Sequence, residues 1–247
     1  MNLLLFEPAE ISGELRDGRA RLDDRRALHV REVLRAGPGA ALRAGVIGGA
    51  IGRAEVLADD GRAIDLAVVL DGEAPPSMPV DLILAMPRPK VLSRALETAA
   101  AFGVRRVDVV NAWRVDKAYL DSPRLTPTAI GEHLRLGAEQ GVTTHLPVVE
   151  IHRRLMPFLD GRHPVALPAA TRLLAHAGGA VPIEIAWRTA SGPPLTLAIG
   201  PEGGWIAREV DTFAARGFAV VTLGAPVLRV EVALAAALGQ LAMLLRE

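Results

Sequence analysis

The sequence predicts an α/β protein in two parts, a small β-rich domain followed by a larger domain built on a parallel sheet. Three observations lead there. Up to residue 73, short runs of Val, Leu and Ile recur between glycine-containing breaks, at the spacing of a small β-barrel. Next comes Gly72-Glu73-Ala74-Pro75-Pro76-Ser77-Met78-Pro79, a proline-rich stretch that reads as a linker. From Val80 onward, continuous apolar runs alternate with segments of helical periodicity, as expected of parallel strands buried on both faces. The expected boundaries are 1–73 for the β domain, 74–79 for the linker and 80–247 for the α/β domain.

In chain order, Met1-Asn2-Leu3-Leu4-Leu5-Phe6 reads as a strand, since no basic segment precedes it and acidic residues follow. Asp23 to Arg35 is helical and stops at Ala36-Gly37-Pro38-Gly39. Ala41–Val46, Arg53–Leu57 and Ala63–Leu70 are strands. In the second part, Val80–Met86, Val104–Val110, Leu146–Ile151, Val165–Leu167, Leu195–Ile199 and Val220–Leu223 read as strands. Pro89–Phe102, Thr126–Gln140, Ala207–Arg216 and Glu231–Arg246 read as helices. The most apolar stretch, Val232 to Leu245, contains Gln240 and is too short to span a membrane.

Composition narrows the chemistry. Half of the 247 residues are hydrophobic, enough for a substantial core. The absence of cysteine excludes disulfides, thiolate zinc sites and cysteine nucleophiles; it fits a cytoplasmic protein, and no metal is expected. With 28 basic and 28 acidic residues, no general attraction to a polyanion exists. A local one can, because Arg88, Lys90, Arg94, Arg105, Arg106, Arg114, Lys117 and Arg124 cluster in the middle of the chain. Charge counts alone fit a solvated face equally well. Nearly every cation is an arginine, which suits forked phosphate contacts.

Two loops stand out. Ile199-Gly200-Pro201-Glu202-Gly203-Gly204-Trp205 joins a strand to a helix. Its glycines let a ligand approach the backbone, although a plain tight turn has the same composition. It is neither a Walker loop nor a Gly-x-Gly-x-x-Gly turn. Leu223-Gly224-Ala225-Pro226-Val227-Leu228-Arg229-Val230-Glu231 likewise joins a strand to a helix. Glu231 suits the positive end of a helix dipole, whereas Arg229 does not and requires an anionic partner. That partner is either Glu231 itself or a nucleotide.

These two segments, with Glu209, resemble the bacterial ribosomal RNA small-subunit methyltransferase E family, part of the SPOUT superfamily of knotted methyltransferases. His29-Val30-Arg31-Glu32-Val33-Leu34-Arg35 is similar to that family's N-terminal RNA-binding segment, and Ala138-Glu139-Gln140 to its mid-domain Glu-Gln pair. The resemblance implies a PUA-like β-barrel ahead of a trefoil-knotted methyltransferase domain, a homodimer, the cofactor S-adenosylmethionine, and methylation of N3 of a uridine in 16S ribosomal RNA. The cofactor residues would be Leu167, Ile199, Gly200, Gly203, Gly204, Leu223, Gly224, Val227 and Leu228. Arg229 would stabilise the uridine anion, with Glu202 and Glu231 as proton acceptors or as orienting groups for Arg229. His29, Arg31, Arg35, Arg88 and Arg114 would contact RNA. The chain departs from the family at Thr98, Ala101, Gly141, Thr143, Val230 and Val232. Those departures keep open a different target base, or an RNA-binding protein without catalysis. A nucleotide-dependent dehydrogenase is disfavoured by the missing Gly-x-Gly-x-x-Gly turn.

Overall fold

The computed structural model describes residues 1–163, 171–190 and 192–246. The first domain is a six-stranded sheet made from β1 (Leu4–Phe6), β2 (Ser12–Glu14), β3 (Asp17–Leu22), β4 (Ala41–Val46), β5 (Ile51–Asp59) and β6 (Ile64–Val69). Its order is β1-β4-β5-β6-β3-β2, with β1 parallel to β4 and the other neighbours antiparallel. Strict alternation in β3 and β6 turns Gly18, Ala20 and Leu22, and Ile64, Leu66 and Val68, to one buried face. The β2–β3 hairpin escapes a hydrophobicity scan because β2 is wholly exposed and two of the three buried residues of β3 are Gly18 and Ala20.

The helix expected over Asp23–Arg35 is shorter. The Asp24 carboxylate caps it by accepting from the Arg26 N–H, so α1 spans Arg25–His29 and runs into a π-helical turn, Val30–Leu34. Arg35, at φ 52°, ends it in the left-handed region.

The second domain holds a seven-stranded, all-parallel sheet. Its strands are β7 (Met78–Ala85), β8 (Val104–Val110), β9 (Val148–His152), β10 (Thr171–Ala175), β11 (Val181–Pro182), β12 (Leu195–Ile199) and β13 (Ala219–Thr222). The order is β11-β13-β10-β12-β7-β8-β9. Helices α2 (Pro89–Ala101), α3 (Pro127–Gly141), α4 (Leu155–Arg162), α5 (Ile183–Arg188), α6 (Ala207–Ala214) and α7 (Val230–Leu244) connect or follow the strands. β7 opens at Met78, inside the stretch expected to be linker. β12 is buried along its whole length, as a strand covered on both faces must be.

Two central features were not legible in the sequence. β10 carries the polar pair Thr171-Arg172, buried only because Thr171 Oγ1 donates to Gly192 O (2.6 Å) and Arg172 Nη1 to Arg216 O (2.6 Å). α4 and α5 are each too short to show helical periodicity. The expected strand Val165–Leu167, and with it Leu167, lies outside the described residues.

The two domains are locked by a mixed joint. Leu3 and Leu5 of the first pack on Ala138 of α3, with Val142 and Leu146 alongside. Glu139, 1% exposed, receives the Arg25 guanidinium as a fork (2.8 and 2.9 Å), and its carbonyl accepts from Asn2 N–H (3.0 Å). Thr144 Oγ1 donates to Gly49 O (2.8 Å), and Gly48 N–H donates to Thr144 O (2.8 Å). The Glu-Gln pair and Thr144 thus sit at the domain joint. Removing one partner of a buried pair strands the other charge. Arg25→Ala is therefore expected to lower stability by about 2–3 kcal/mol, less than for a fully buried pair because water reaches the arginine. Chemical denaturation of the variant measures this, and an unchanged midpoint would assign the joint to its apolar contacts alone.

Two departures from the family face one another. A Cβ on Gly141 would stand 2.1 Å from the Ala101 carbonyl oxygen, and one on Gly137 2.1 Å from that of Glu97. Small residues on α3 let the α2 backbone approach, so no side chain fits at 141 without moving a helix.

Candidate functional site

In a parallel sheet the loops leaving the carboxyl ends of the strands converge, and ligands bind where strand order reverses. Here β7, β8 and β9 step outward one way while β12, β10 and β13 lie the other way. The loops after β10, β12 and β13 together line a cavity of about 450 Å³, within the range of small-molecule sites.

The loop after β12 is the most heavily braced. Gly204 N–H donates to Pro201 O (2.8 Å), closing a turn. The Glu202 carboxylate accepts from the backbone N–H of Arg88 (3.0 Å) at the start of α2, and the Arg114 guanidinium donates to Gly203 O. Buried Glu209 accepts from Trp113 N–H (2.8 Å) with one oxygen and from Ile206 N–H (3.0 Å) with the other. One carboxylate thereby caps α6 and ties the loop after β8 to the loop after β12.

The three glycines serve different ends. A Cβ at Gly200 would lie 3.1 Å from the Trp205 ring, and one at Gly203 would lie 3.0 Å from Cδ of Arg114. Gly204, at φ +69°, meets nothing but needs the left-handed region. The sequence suggests all three as openings for a ligand, and all three line the cavity; Gly200 and Gly203 also make room for neighbouring side chains.

The loop after β13 is held by Thr222 Oγ1, which accepts from Gly224 N–H (3.2 Å), and by the Gln240 amide, which donates to Leu223 O (3.2 Å). Val227 is 85% exposed on the cavity lining. Arg229 is the N-cap residue of α7, exposed and also on the lining. Among the described residues no carboxylate lies within ion-pair distance of its guanidinium, so Glu231 does not compensate it.

Of the residues expected to hold the cofactor, Ile199, Gly200, Gly203, Gly204, Leu223, Gly224, Val227 and Leu228 line the cavity. Glu202, Arg229 and Arg114 line it too, whereas Glu231 does not. Glu231 stands in the first turn of α7, where the dipole favours a carboxylate. Sequence reasoning missed His176, in the loop after β10, together with that strand. Its Nδ1 accepts from Gly178 N–H (2.9 Å), and the residue lines the cavity.

The expected RNA contacts are spread out. Arg88 and Arg35 are exposed. Arg31 is committed to Asp59 in a fork (2.9 and 2.6 Å), which raises its pKa and lowers that of Asp59. His29 is held below its ordinary pKa by burial and by the neighbouring N-terminal ammonium, 3.4 Å away, which favours its uncharged form near neutral pH. Of the middle cluster, Arg105 and Arg106 pair with Asp81 and Asp108. Arg106 also meets Glu150 beside His152, placing a guanidinium within the group Asp108, Glu150 and His152.

A parallel sheet whose carboxyl-edge loops frame a ligand cavity is the architecture of many α/β enzymes; the family it belongs to here is the RNA methyltransferase domain, whose model matches residues 74–242. The chain is 30% identical over 96% of its length to the ribosomal RNA small subunit methyltransferase E of Treponema pallidum, covering 89% of that protein. It is 24% identical over 87% of its length to ribosomal RNA small subunit methyltransferase E 1 of Borreliella burgdorferi, covering 89% of it. The fold superposes with a TM-score of 0.75 on the ribosomal RNA small subunit methyltransferase E of Neisseria gonorrhoeae bound to S-adenosyl methionine, at 22% identity, covering 99% of this chain and 98% of that one. The protein belongs to the ribosomal RNA small subunit methyltransferase E family.

Proposed function

We propose that the protein transfers a methyl group from S-adenosylmethionine to N3 of a uridine in 16S ribosomal RNA, in the cytoplasm. The observation that carries this reading is Arg229, a guanidinium without a carboxylate partner among the described residues, on the lip of a glycine-bordered cavity. The cavity fits the cofactor. Leu223, Val227 and Leu228 offer apolar surface to an adenine, and the lining residue Trp205 has a buried indole N–H without a partner. S-adenosylmethionine, when bound, supplies an electrophilic methyl group.

The chain's own residues would do the rest. Uridine N3 carries a proton at neutral pH, so it becomes a nucleophile only once that proton has passed to solvent water. Arg229 placed at O2 or O4 would stabilise the anion and lower the pKa of N3. Glu202 already accepts a backbone hydrogen bond from Arg88, so we assign it to orienting the loop. Glu231, off the cavity lining, supports the start of α7 and through it the position of Arg229. Calorimetric titration with S-adenosylmethionine tests the reading: saturable binding supports it and no binding removes it.

Three further parts of the reading follow the family. A PUA-like role for residues 1–73 is supported by the six-stranded sheet and by exposed Arg35, which with Arg88 and Arg114 would meet RNA; Arg31 would join them only by leaving Asp59. A trefoil knot is supported by β12 inserting between β7 and β10, with β13 beyond β10 and α7 returning to pack on α2. A homodimer is supported by α7, whose Val232 and Met243 stay 46% and 60% exposed beside exposed Ala235 and Gly239. Light scattering at low micromolar concentration should give twice the 26.1 kDa chain mass. A species of 26.1 kDa alone would refute the dimer.

A further inference from the structure

Among the described residues Trp113 is the most exposed large hydrophobic residue after Val227, at 79%, while Trp205, on the cavity lining, is 3% exposed. An indole left in water is costly, and this one is not on a loose loop. Its backbone N–H is fixed by the buried Glu209 carboxylate (2.8 Å). The next residue, Arg114, is bonded to Gly203 O on the cavity wall. Ala112 and Val115, which flank the Trp113-Arg114 pair, are buried. The backbone is thus clamped one residue from the cavity lining, while the ring itself is exposed.

The geometry points to Trp113 as a stacking platform for an unpaired nucleobase of the RNA substrate, beside the base to be methylated. This rests on the RNA-methylating reading above and adds to it a residue that selects the form of the substrate. Attack by N3 requires that atom, on the pairing edge of the base, to be free of a partner strand. A rigid aromatic face takes up bases from single strands, because stacking needs a face that a duplex hides. Arg114 and exposed Arg229 on the same lining supply the positive charge that a phosphate backbone next to such a base requires.

The test uses the full chain with a single-stranded uridine decamer and, in parallel, an RNA duplex of equal length. Trp113→Ala should weaken decamer binding between about 5-fold and 150-fold, the range for loss of one base–aromatic stack. Trp113→Phe, which keeps a ring, should recover most of the affinity. The salt dependence of binding should keep its wild-type slope, since no phosphate contact is lost. Duplex affinity and S-adenosylmethionine affinity should be unchanged. Equal decamer affinity in Trp113→Ala and wild type would overturn the platform, as would a wild-type protein that binds S-adenosylmethionine but not the decamer. A fall in oligomer mass for Trp113→Ala would assign the indole to a subunit interface instead. Failure of S-adenosylmethionine to bind the wild-type protein is a separate result, which removes the underlying reading.

Discussion

Arg229→Lys should lower single-turnover methylation by roughly two to three orders of magnitude, the scale of losing one preorganised stabilising donor. Lysine keeps the charge but not the planar fork that can meet a uridine oxygen along two N–H directions. The wild-type arginine sits where the α7 dipole disfavours a cation and where no described carboxylate pairs with it, which is what the proposed role toward an incoming anion requires. Cofactor affinity should change little. Raising the pH should restore part of the rate, because a base that deprotonates in bulk needs less help from the guanidinium. A variant equally slow at every pH would make Arg229 a structural element of the loop. One that loses cofactor affinity would place it in the cofactor pocket.

The second large effect is expected at Gly203. A Cβ there would already stand 3.0 Å from Cδ and 3.3 Å from Cβ of Arg114. The branched side chain of Gly203→Val must push the Arg114 stem aside, break its bond to Gly203 O, and intrude on the cavity lining. S-adenosylmethionine binding should fall below detection in calorimetry while the thermal transition persists, since Gly203 is exposed and outside the core. Normal titration in the folded variant would remove the loop after β12 from the cofactor site.

Much of this was readable from the pattern because β12 is almost wholly apolar, β8 is rich in valine, and both are bounded by clear breaks. The two glycine loops were readable because each follows such a strand. What stayed hidden has physical causes. β10 contains Thr171 and Arg172, whose burial depends on hydrogen bonds to carbonyls distant in sequence. Losing that strand also lost His176 and the third wall of the cavity. Ala138-Glu139-Gln140 resembled a functional motif, but only the tertiary contact with Arg25 reveals it as the domain joint. Trp113 carried no sequence signal, since a lone tryptophan after a strand is usually core; its exposure is a property of the folded loop.

The central claim concerns which atom receives the methyl group. Small ribosomal subunits from cells lacking this protein, incubated with it and S-adenosylmethionine, can be digested and their 16S ribosomal RNA nucleosides identified by mass spectrometry. The account predicts one methyl group per 16S molecule, on N3 of a single uridine, absent when Arg229→Lys is used at neutral pH for the same time. Methylation of a ribose, of another base, or no transfer by a protein that binds the cofactor would contradict it.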